Sequence, residues 1–346
     1  FALAENAYHN GVEFEKEAEV TAIEKYLGED GTNWFEVKAG GRTYQSRIII
    51  NCAGGCSDKI NNMVSEDHYH IIPRFGAHVV LDRKISDKLT TTLMETPHDL
   101  PGGGHTKGMA IIPTTGGTMI LGCDATEVGD PDFTATRRAS IDQIVDYFKE
   151  AWKYLPLDGD EFPMESVIGI FGGCRPHADT NDFVIGEAED APGFINAGGT
   201  ESPGFTSAVA IARHVVQIAA EKLGAAKNED FDPYRKVNKP FRTMTNEERT
   251  QAIAENPDYA RVVCRCEMVT EAEIRDAIRR PLGARSVSEV KLRTRAGMGR
   301  CQGGFCGPRV VEILCEELGL SPLEVTQCGG DSQILVRQAC SGEGLE

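Results

Sequence analysis

The sequence contains no apolar run that approaches the roughly 20 residues a membrane-crossing helix needs, so no transmembrane segment is expected. Positive charge is scarce: 36 Lys and Arg stand against 53 Asp and Glu, a formal net charge of −17. A protein that grips nucleic-acid phosphates needs a basic surface, so nucleic acid is not expected as a partner. The opening, FALAENAYHNGVEF, has no initiating Met, no basic leader and no apolar signal core. It reads as a helix closed near Gly11 and followed by a strand, as if the chain started inside a domain, and we read it as a fragment. No internal repeat is found. The 11 cysteines lack the density of a small secreted disulfide scaffold. They suit a reducing cytoplasm and a metal site, and a peripheral contact at the inner face of the membrane is compatible with that location.

With 346 residues the chain is too long for one ordinary core and predicts two or three domains. Its 40% of hydrophobic residues is enough to pack them. "AEVTAIEKY" and "NWFEVKAG" predict strands around the turn "GEDGTN", and Ile48 to Asn51 a short buried strand running into Ala-Gly-Gly. "GAHVVLDR" and "GMAIIPTTGGTMILGC" predict further strands, the second folded into a hairpin at "TTGGT". Residues 140–155 predict an amphipathic helix, with Ser140 and Gln143 as a capping box and Ile141, Ile144, Val145, Phe148, Trp152 and Leu155 on one face. "DFVIGE" and "GFINAGG" return to strand. "TSAVAIARHVVQIAAEKLG" predicts a helix opened by Thr206 or Ser207, closed by Gly224 and, being apolar nearly all round, buried.

The sharpest pattern is in the cysteines. Cys264 and Cys266 form a C-x-C pair, Cys301 and Cys306 a C-x4-C pair, and 34 residues separate the two. Thiolates are the soft ligands that iron–sulfur clusters and zinc select. Gly297, Gly299, Gly303, Gly304 and Gly307 surround the second pair, where small residues let backbone N–H groups approach sulfur. Thr270 and Glu273 fit a capping box after the first pair, and Pro308 fits a first helical position after the second. Two helix N-termini would then face the site with their partial positive charge. A structural zinc and four free core cysteines are the alternatives; zinc sites more often use C-x2-C pairs.

"CRCE…VTEAEI…AIRRPLGARS…VK…RTRAGMGRCQGGFC" resembles the bacterioferritin-associated-ferredoxin-like (BFD-like) [2Fe-2S] domain over about 262–318. The resemblance implies Cys264, Cys266, Cys301 and Cys306 as cluster ligands and leaves Cys315, Cys328 and Cys340 outside the ligand set. Residues 1–225 resemble the later two-thirds of an FAD-dependent oxidoreductase of the D-amino-acid oxidase type, more narrowly the FAD-dependent glycerol-3-phosphate dehydrogenase group. Three segments carry this. "AEVTAIE" resembles the strand passing the adenine, with contact at Val20. "IIINCAGGCSDKI" resembles the second flavin-contacting turn, with Ala53 and Gly54 beside the dinucleotide. "GFINAGGTESPGFTSAVAIA" resembles the closing loop and helix under the flavin ring, with Gly198, Gly199, Ser202, Gly204, Phe205 and Thr206 giving close approach and amide donors. A helix N-terminus there would stabilise the reduced, anionic ring. The Gly-x-Gly-x-x-Gly turn that holds the FAD pyrophosphate in that family is missing from this chain, which implies an N-terminally incomplete α/β (α+β) FAD fold. The expected division is 1–225 for the partial FAD region, with a substrate-binding sheet at about 66–165. A linker at 226–258, a small helical [2Fe-2S]-binding domain at 259–320 and a tail at 321–346 follow.

Flavin-dependent alcohol oxidation needs a base for the hydroxyl proton, a hydride acceptor and a cation for the substrate's acidic group. His78, in "PRFGAHVVLD", matches the strand histidine of the glycerol-3-phosphate dehydrogenases, and histidine is the natural base near neutral pH. Arg175, in "FGGCRPHA", matches their substrate-anchoring Arg, whose guanidinium grips carboxylate or phosphate through two bonds. His177 and His105 are weaker candidates, and Lys107 is an anion contact or a solvated loop charge. The closing loop "GTESPGFT" departs from that group: it lacks its phosphate-binding Lys, and Glu201 has the wrong sign for phosphate. The resemblance therefore implies oxidation of an anionic small molecule, in first place sn-glycerol 3-phosphate, with FAD as hydride acceptor. Electrons would leave through a [2Fe-2S] cluster to a quinone, a partner subunit or a soluble carrier. The alternatives are a dehydrogenase or oxidase of a 2-hydroxy acid or amino acid, and a non-catalytic electron-transfer or docking fragment.

Overall fold

In the computed structural model the described residues are 1–29, 31–96, 108–122, 125–127, 138–152, 161–235 and 238–338. They fall into two compact units, Glu15–Glu229 and Phe1–Phe14 with Asp230–Glu346. The opening helix α1 (Ala2–His9) belongs to the second unit.

The first unit begins with an antiparallel meander of β1 (Val20–Leu27), β2 (Asn33–Ala39) and β3 (Arg42–Ser46). Its alternation sends Ile23 and Phe35 into a core shared with Phe194. The short β4 (Ile49–Asn51) leads into the turn at Gly54 and helix α2 (Ser57–Asn61). The long β5 (Ile71–Leu81) is the spine of a six-stranded sheet with β6 (Leu93–Met94), β7 (Ala110–Pro113), β8 (Met119–Gly122) and β9 (Thr126–Glu127). The expected hairpin is there: Thr114 N–H donates to Thr118 O at 2.9 Å between β7 and β8.

Helix α3 (Arg138–Trp152) covers this sheet. Ile144, Phe148 and Trp152 are buried against Phe75, Val79, Leu81, Met119 and Leu121, as the apolar stripe requires. The helix starts two residues before Ser140, so Ser140 is an internal position rather than the N-cap; Leu155, expected on the same face, lies outside the described residues. The sixth strand, β10 (Val167–Ala178), pairs with β5 along its length. Strands β11 (Val184–Glu187) and β12 (Phe194–Gly198) follow, and β12 lies parallel to β4.

Helix α4 (Gly204–Leu223) starts two residues earlier than its composition predicts and ends as predicted at Gly224, which takes the left-handed conformation at φ +60°. The expectation that this helix is buried all round is corrected. Val215 packs on Ile195 and Ala197, whereas Phe205, Val209 and Val216 are exposed. The helix packs chiefly against β11 and β12, which cover one side only.

The second unit is mostly helical: α5 (Asn246–Glu255), the small ladder of β13 (Val262–Cys264) and β14 (Val269–Thr270), then α6 (Glu271–Arg279), α7 (Val287–Thr294) and α8 (Gly307–Leu318). Its core is Val263, Val269, Ile274, Ile278, Val290, Val310, Ile313 and Leu314. The predicted Thr270/Glu273 capping box is formed in both directions. From Asp230 on, the stretch read as a linker is part of this unit, and Thr245 and Glu248 cap α5 with a second box. The stretch read as a weakly structured tail contributes a fully buried Val325 to the core, and the carbonyls of Thr326 and Gln327 accept from the first amides of α7, Val287 and Ser288.

Candidate functional site

The β5–β10 pairing decides the character of the first unit's candidate site. Residues directly opposite in an antiparallel pair share a face, and the register sets His78 opposite Phe171, Gly76 opposite Gly173, Arg74 opposite Arg175 and Ile72 opposite His177. His78, Arg74, Arg175 and His177 therefore share one face, while Phe75, Ala77, Val79 and Cys174 turn to the core under α3. The His78 imidazole stacks on Phe171 with centroids 4.8 Å apart and planes 9° from parallel, which fixes its orientation. The guanidinium of Arg175 lies across Gly76: a β-carbon there would sit 2.2 Å from Nη2 and 2.6 Å from Cζ. Arg175 thus reaches two positions along β5 towards His78.

Glu201 ties the closing loop to this face. Its Oε1 is 3.1 Å from His177 Nδ1 and 3.7 Å from Arg74 Nη1. Arg74 is held on its other side by Glu127 at 3.1 Å. A carboxylate that is unfavourable for phosphate by itself is here a partner for the Arg74 guanidinium and the His177 imidazole. Ser202, Gly204, Phe205 and Thr206 follow as the loop end and first turn of α4, with Gly204 buried and Phe205 wholly exposed.

Val20 and Ala53, two of the expected dinucleotide contacts, line one cleft of ≈ 400 Å³ with Ile23, Val37 and Ile50. Gly54, at φ +55°, opens the turn beside it. This apolar cleft fits the flat adenine end of FAD. Gly198 and Gly199 also have packing reasons to be glycine. A β-carbon on Gly198 would meet Tyr69 Oη at 2.2 Å, and one on Gly199 would meet Ala178 Cβ at 2.8 Å, with Gly199 already at φ +63°. Sequence reasoning missed the amide chain that aligns β4, β12 and α2: Asn51 donates to Asn196 at 2.9 Å, and Asn196 to Asn61 at 2.8 Å. It also missed Arg74, although Arg74, Gly76 and His78 alternate as one face of a strand must. His105 and Lys107 lie outside the described residues.

In the second unit the four cysteines come together as two pairs. Cys266 Sγ is 3.7 Å from Cys301 Sγ, and Cys306 lies beside Cys264. A tetrahedral metal with bonds of about 2.3 Å to sulfur needs its sulfurs roughly 3.8 Å apart. Among the described residues no three His, Cys, Asp or Glu converge on a single metal position. Four cysteines gathered in this way would supply the thiolates that an iron–sulfur cluster takes.

The backbone prepares the sulfurs for negative charge. The neighbouring Cys306 side chain, followed by amides of Gly297, Glu267 and Cys266, pulls the Cys264 thiol down to about 6 against the effect of burial. The Phe305 amide holds Cys301 below its ordinary value, and the neighbouring Cys264 thiolate pushes Cys306 up. Gly299 is required by contact, since a β-carbon there would lie 2.2 Å from Cys266 Cβ. Cys306 caps α8, whose positive end therefore meets the site.

A sheet face joining an oriented imidazole to a guanidinium, a cleft beside a Gly turn, and a paired-cysteine site together define a flavin and iron–sulfur redox protein. Residues 1–218 match the FAD dependent oxidoreductase family and residues 262–316 the BFD-like [2Fe-2S] binding domain; the chain belongs to the FAD-dependent oxidoreductase family and carries the [2Fe-2S] domain at its C-terminal end. It is 40% identical to a glycerol 3-phosphate dehydrogenase of Caloramator mitchellensis over 96% of this chain and 66% of that one. It is 24% identical to anaerobic glycerol-3-phosphate dehydrogenase subunit A1 of Haloferax volcanii over 91% of this chain and 58% of that one. The fold matches FAD-bound L-α-glycerophosphate oxidase of Mycoplasma pneumoniae at a TM-score of 0.50 and 22% identity, covering 66% of this chain and 56% of that one. The chain thus spans two thirds or less of the relatives it matches. No described helix is long and apolar enough to cross a membrane.

Proposed function

We propose that the enzyme to which this chain belongs oxidises sn-glycerol 3-phosphate to dihydroxyacetone phosphate. The observation that carries the reading is the reach of Arg175 across Gly76. Gly76 and His78 are two positions apart on one strand face, roughly 6.6 Å. A guanidinium over the first and an imidazole on the second match a short substrate with a hydroxyl near one end and an anion at the other. His78 takes the hydroxyl proton, held in place by its stack on Phe171. Arg175 grips the phosphate through two charge-assisted hydrogen bonds. His177, braced by Glu201, supplies a further donor beside it.

Val20, Ala53 and Gly54 hold the dinucleotide end of FAD, Gly198 and Gly199 shape the strand end beside the ring, and Ser202, Gly204, Phe205 and Thr206 place the α4 N-terminus at its polar edge. Cys264, Cys266, Cys301 and Cys306 hold the [2Fe-2S] cluster. When bound, FAD takes the hydride and the cluster passes electrons on singly. The name of the Haloferax relative supports a partner subunit as the electron acceptor, with a quinone or a soluble carrier as the other candidates; a cytoplasmic location follows from the thiol chemistry. A substrate panel tests the reading. Anaerobic flavin bleaching by glycerol 3-phosphate supports it, whereas bleaching only by a 2-hydroxy acid or an amino acid transfers the site to that substrate class.

A further inference from the structure

The four cysteines differ in access. Cys264 and Cys306 are 1% and 2% exposed, whereas Cys301 is exposed and Cys266 half-buried. One end of the site is therefore sealed inside the unit, and the Cys266–Cys301 end reaches the surface.

That surface has a definite chemistry. Arg265, between the first two cysteines, is exposed and sets its guanidinium 4.6 Å from the ring centroid of Phe305, which lies between the second two. Phe305 is 57% exposed and Met268 41%. The segment 296–309, AGMGRCQGGFCGPR, contains no acidic residue. Glu267, the single carboxylate of 264–268, has a wholly buried side chain paired with Arg295 at 2.8 Å and Arg242 at 3.4 Å, so its charge is turned inward. In a chain of net charge −17 Arg265 thus sets a positive charge against an exposed aromatic ring. Arg and aromatic residues are the types enriched where proteins dock.

Building on the [2Fe-2S] reading above, we propose that the Arg265–Phe305 face is the electron-exit surface and docks an acidic one-electron redox protein. Each encounter moves one electron and no atoms: the reduced cluster loses the electron and the acceptor gains it. One arginine and two apolar side chains make a small footprint, in keeping with transient redox encounters below about 1,200 Å². A lipid surface would call for a wider basic and apolar belt.

The test uses the full chain loaded with cluster, with iron content and the reduced-state EPR signal checked in every sample so that loss of the cluster is recognised separately from loss of docking. Dithionite-reduced protein is mixed in a stopped-flow instrument with an oxidised acidic flavodoxin as the probe, over a range of salt concentrations. Both proteins are acidic overall, so net charge alone makes the rate rise with salt. A local positive docking face makes it fall. The expected result is a falling rate, with Arg265→Gln and Arg265→Glu slowing transfer progressively, by about tenfold for the reversal at low salt. Neutral benzoquinone is expected to oxidise all loaded variants alike. A wild-type rate that is flat or rising with salt overturns the proposal without reference to any variant. A dependence on Arg265 seen only with quinone-loaded anionic vesicles overturns it in favour of a lipid surface.

Discussion

Gly76→Ala isolates the substrate anchor from the stability of the fold. The position is mid-strand and does not carry the positive φ that alanine resists, so the backbone accepts a methyl group. Removing glycine's freedom in the unfolded chain favours the folded state by about 0.4–1 kcal/mol. The side chain has no room: its β-carbon would lie 2.2 Å from Arg175 Nη2 and 2.6 Å from Nη1, where non-bonded atoms settle at about 3.5–4.0 Å. The guanidinium must therefore retreat by more than about 1 Å, far enough to lose a bidentate grip. Hydrogen bonds to charged groups are worth about 1.5–3 kcal/mol, which corresponds to roughly 10- to 150-fold weaker substrate binding. The assay is anaerobic flavin bleaching against glycerol 3-phosphate concentration on the complete enzyme, with a thermal melt on the same sample. Unchanged substrate affinity in Gly76→Ala would refute the assignment of Arg175. A collapsed melting temperature would refute the claim that the strand accepts the methyl.

Gly299→Ala should prevent cluster loading, because its β-carbon collides with Cys266, whereas Gly307→Ala, with nothing within 4 Å, should load normally; iron per chain after reconstitution separates the two. Cys315→Ser and Cys328→Ser should each retain the full iron content, as neither belongs to the paired set. Acid should loosen the second unit. Glu317 is held below the ordinary carboxylate range by Arg279 and Arg275, and Glu316 by Arg275 and Arg309; burial pushes Glu271 up, but Arg275 and Arg309 together hold it below that range too. Their folded values lie below the unfolded value of 4.5, so this stabilisation is present above that pH and is lost as the pH falls through the lower folded values. A melting temperature that is level from pH 7 to about 5 and falls below about 4.5 is expected; a fall that begins near neutrality would contradict the carboxylate network as its source.

The parts of the molecule that rest on local rules were readable from the chain. The α3 stripe, the Thr270/Glu273 box and the Gly224 stop depend on neighbours three or four residues away, and all three appear where the spacing puts them. The face shared by Arg74 and Arg175 depends on the register between strands about 100 residues apart in sequence, which no local pattern fixes. The same holds for Asn51 and Asn196, joined across two strands, and for Glu201, whose charge makes sense only once His177 and Arg74 are beside it. Helix α4 shows the converse limit. An apolar composition predicts what a helix would prefer to bury, and the observed packing covers only the side facing β11 and β12.

The paired cysteines are tested most directly by assaying iron and zinc together with the visible spectrum, on protein purified without oxygen and reconstituted with iron and sulfide. About two irons per chain, no zinc and broad visible bands that bleach with dithionite are expected of a [2Fe-2S] site. A colourless protein holding one zinc per chain would contradict it.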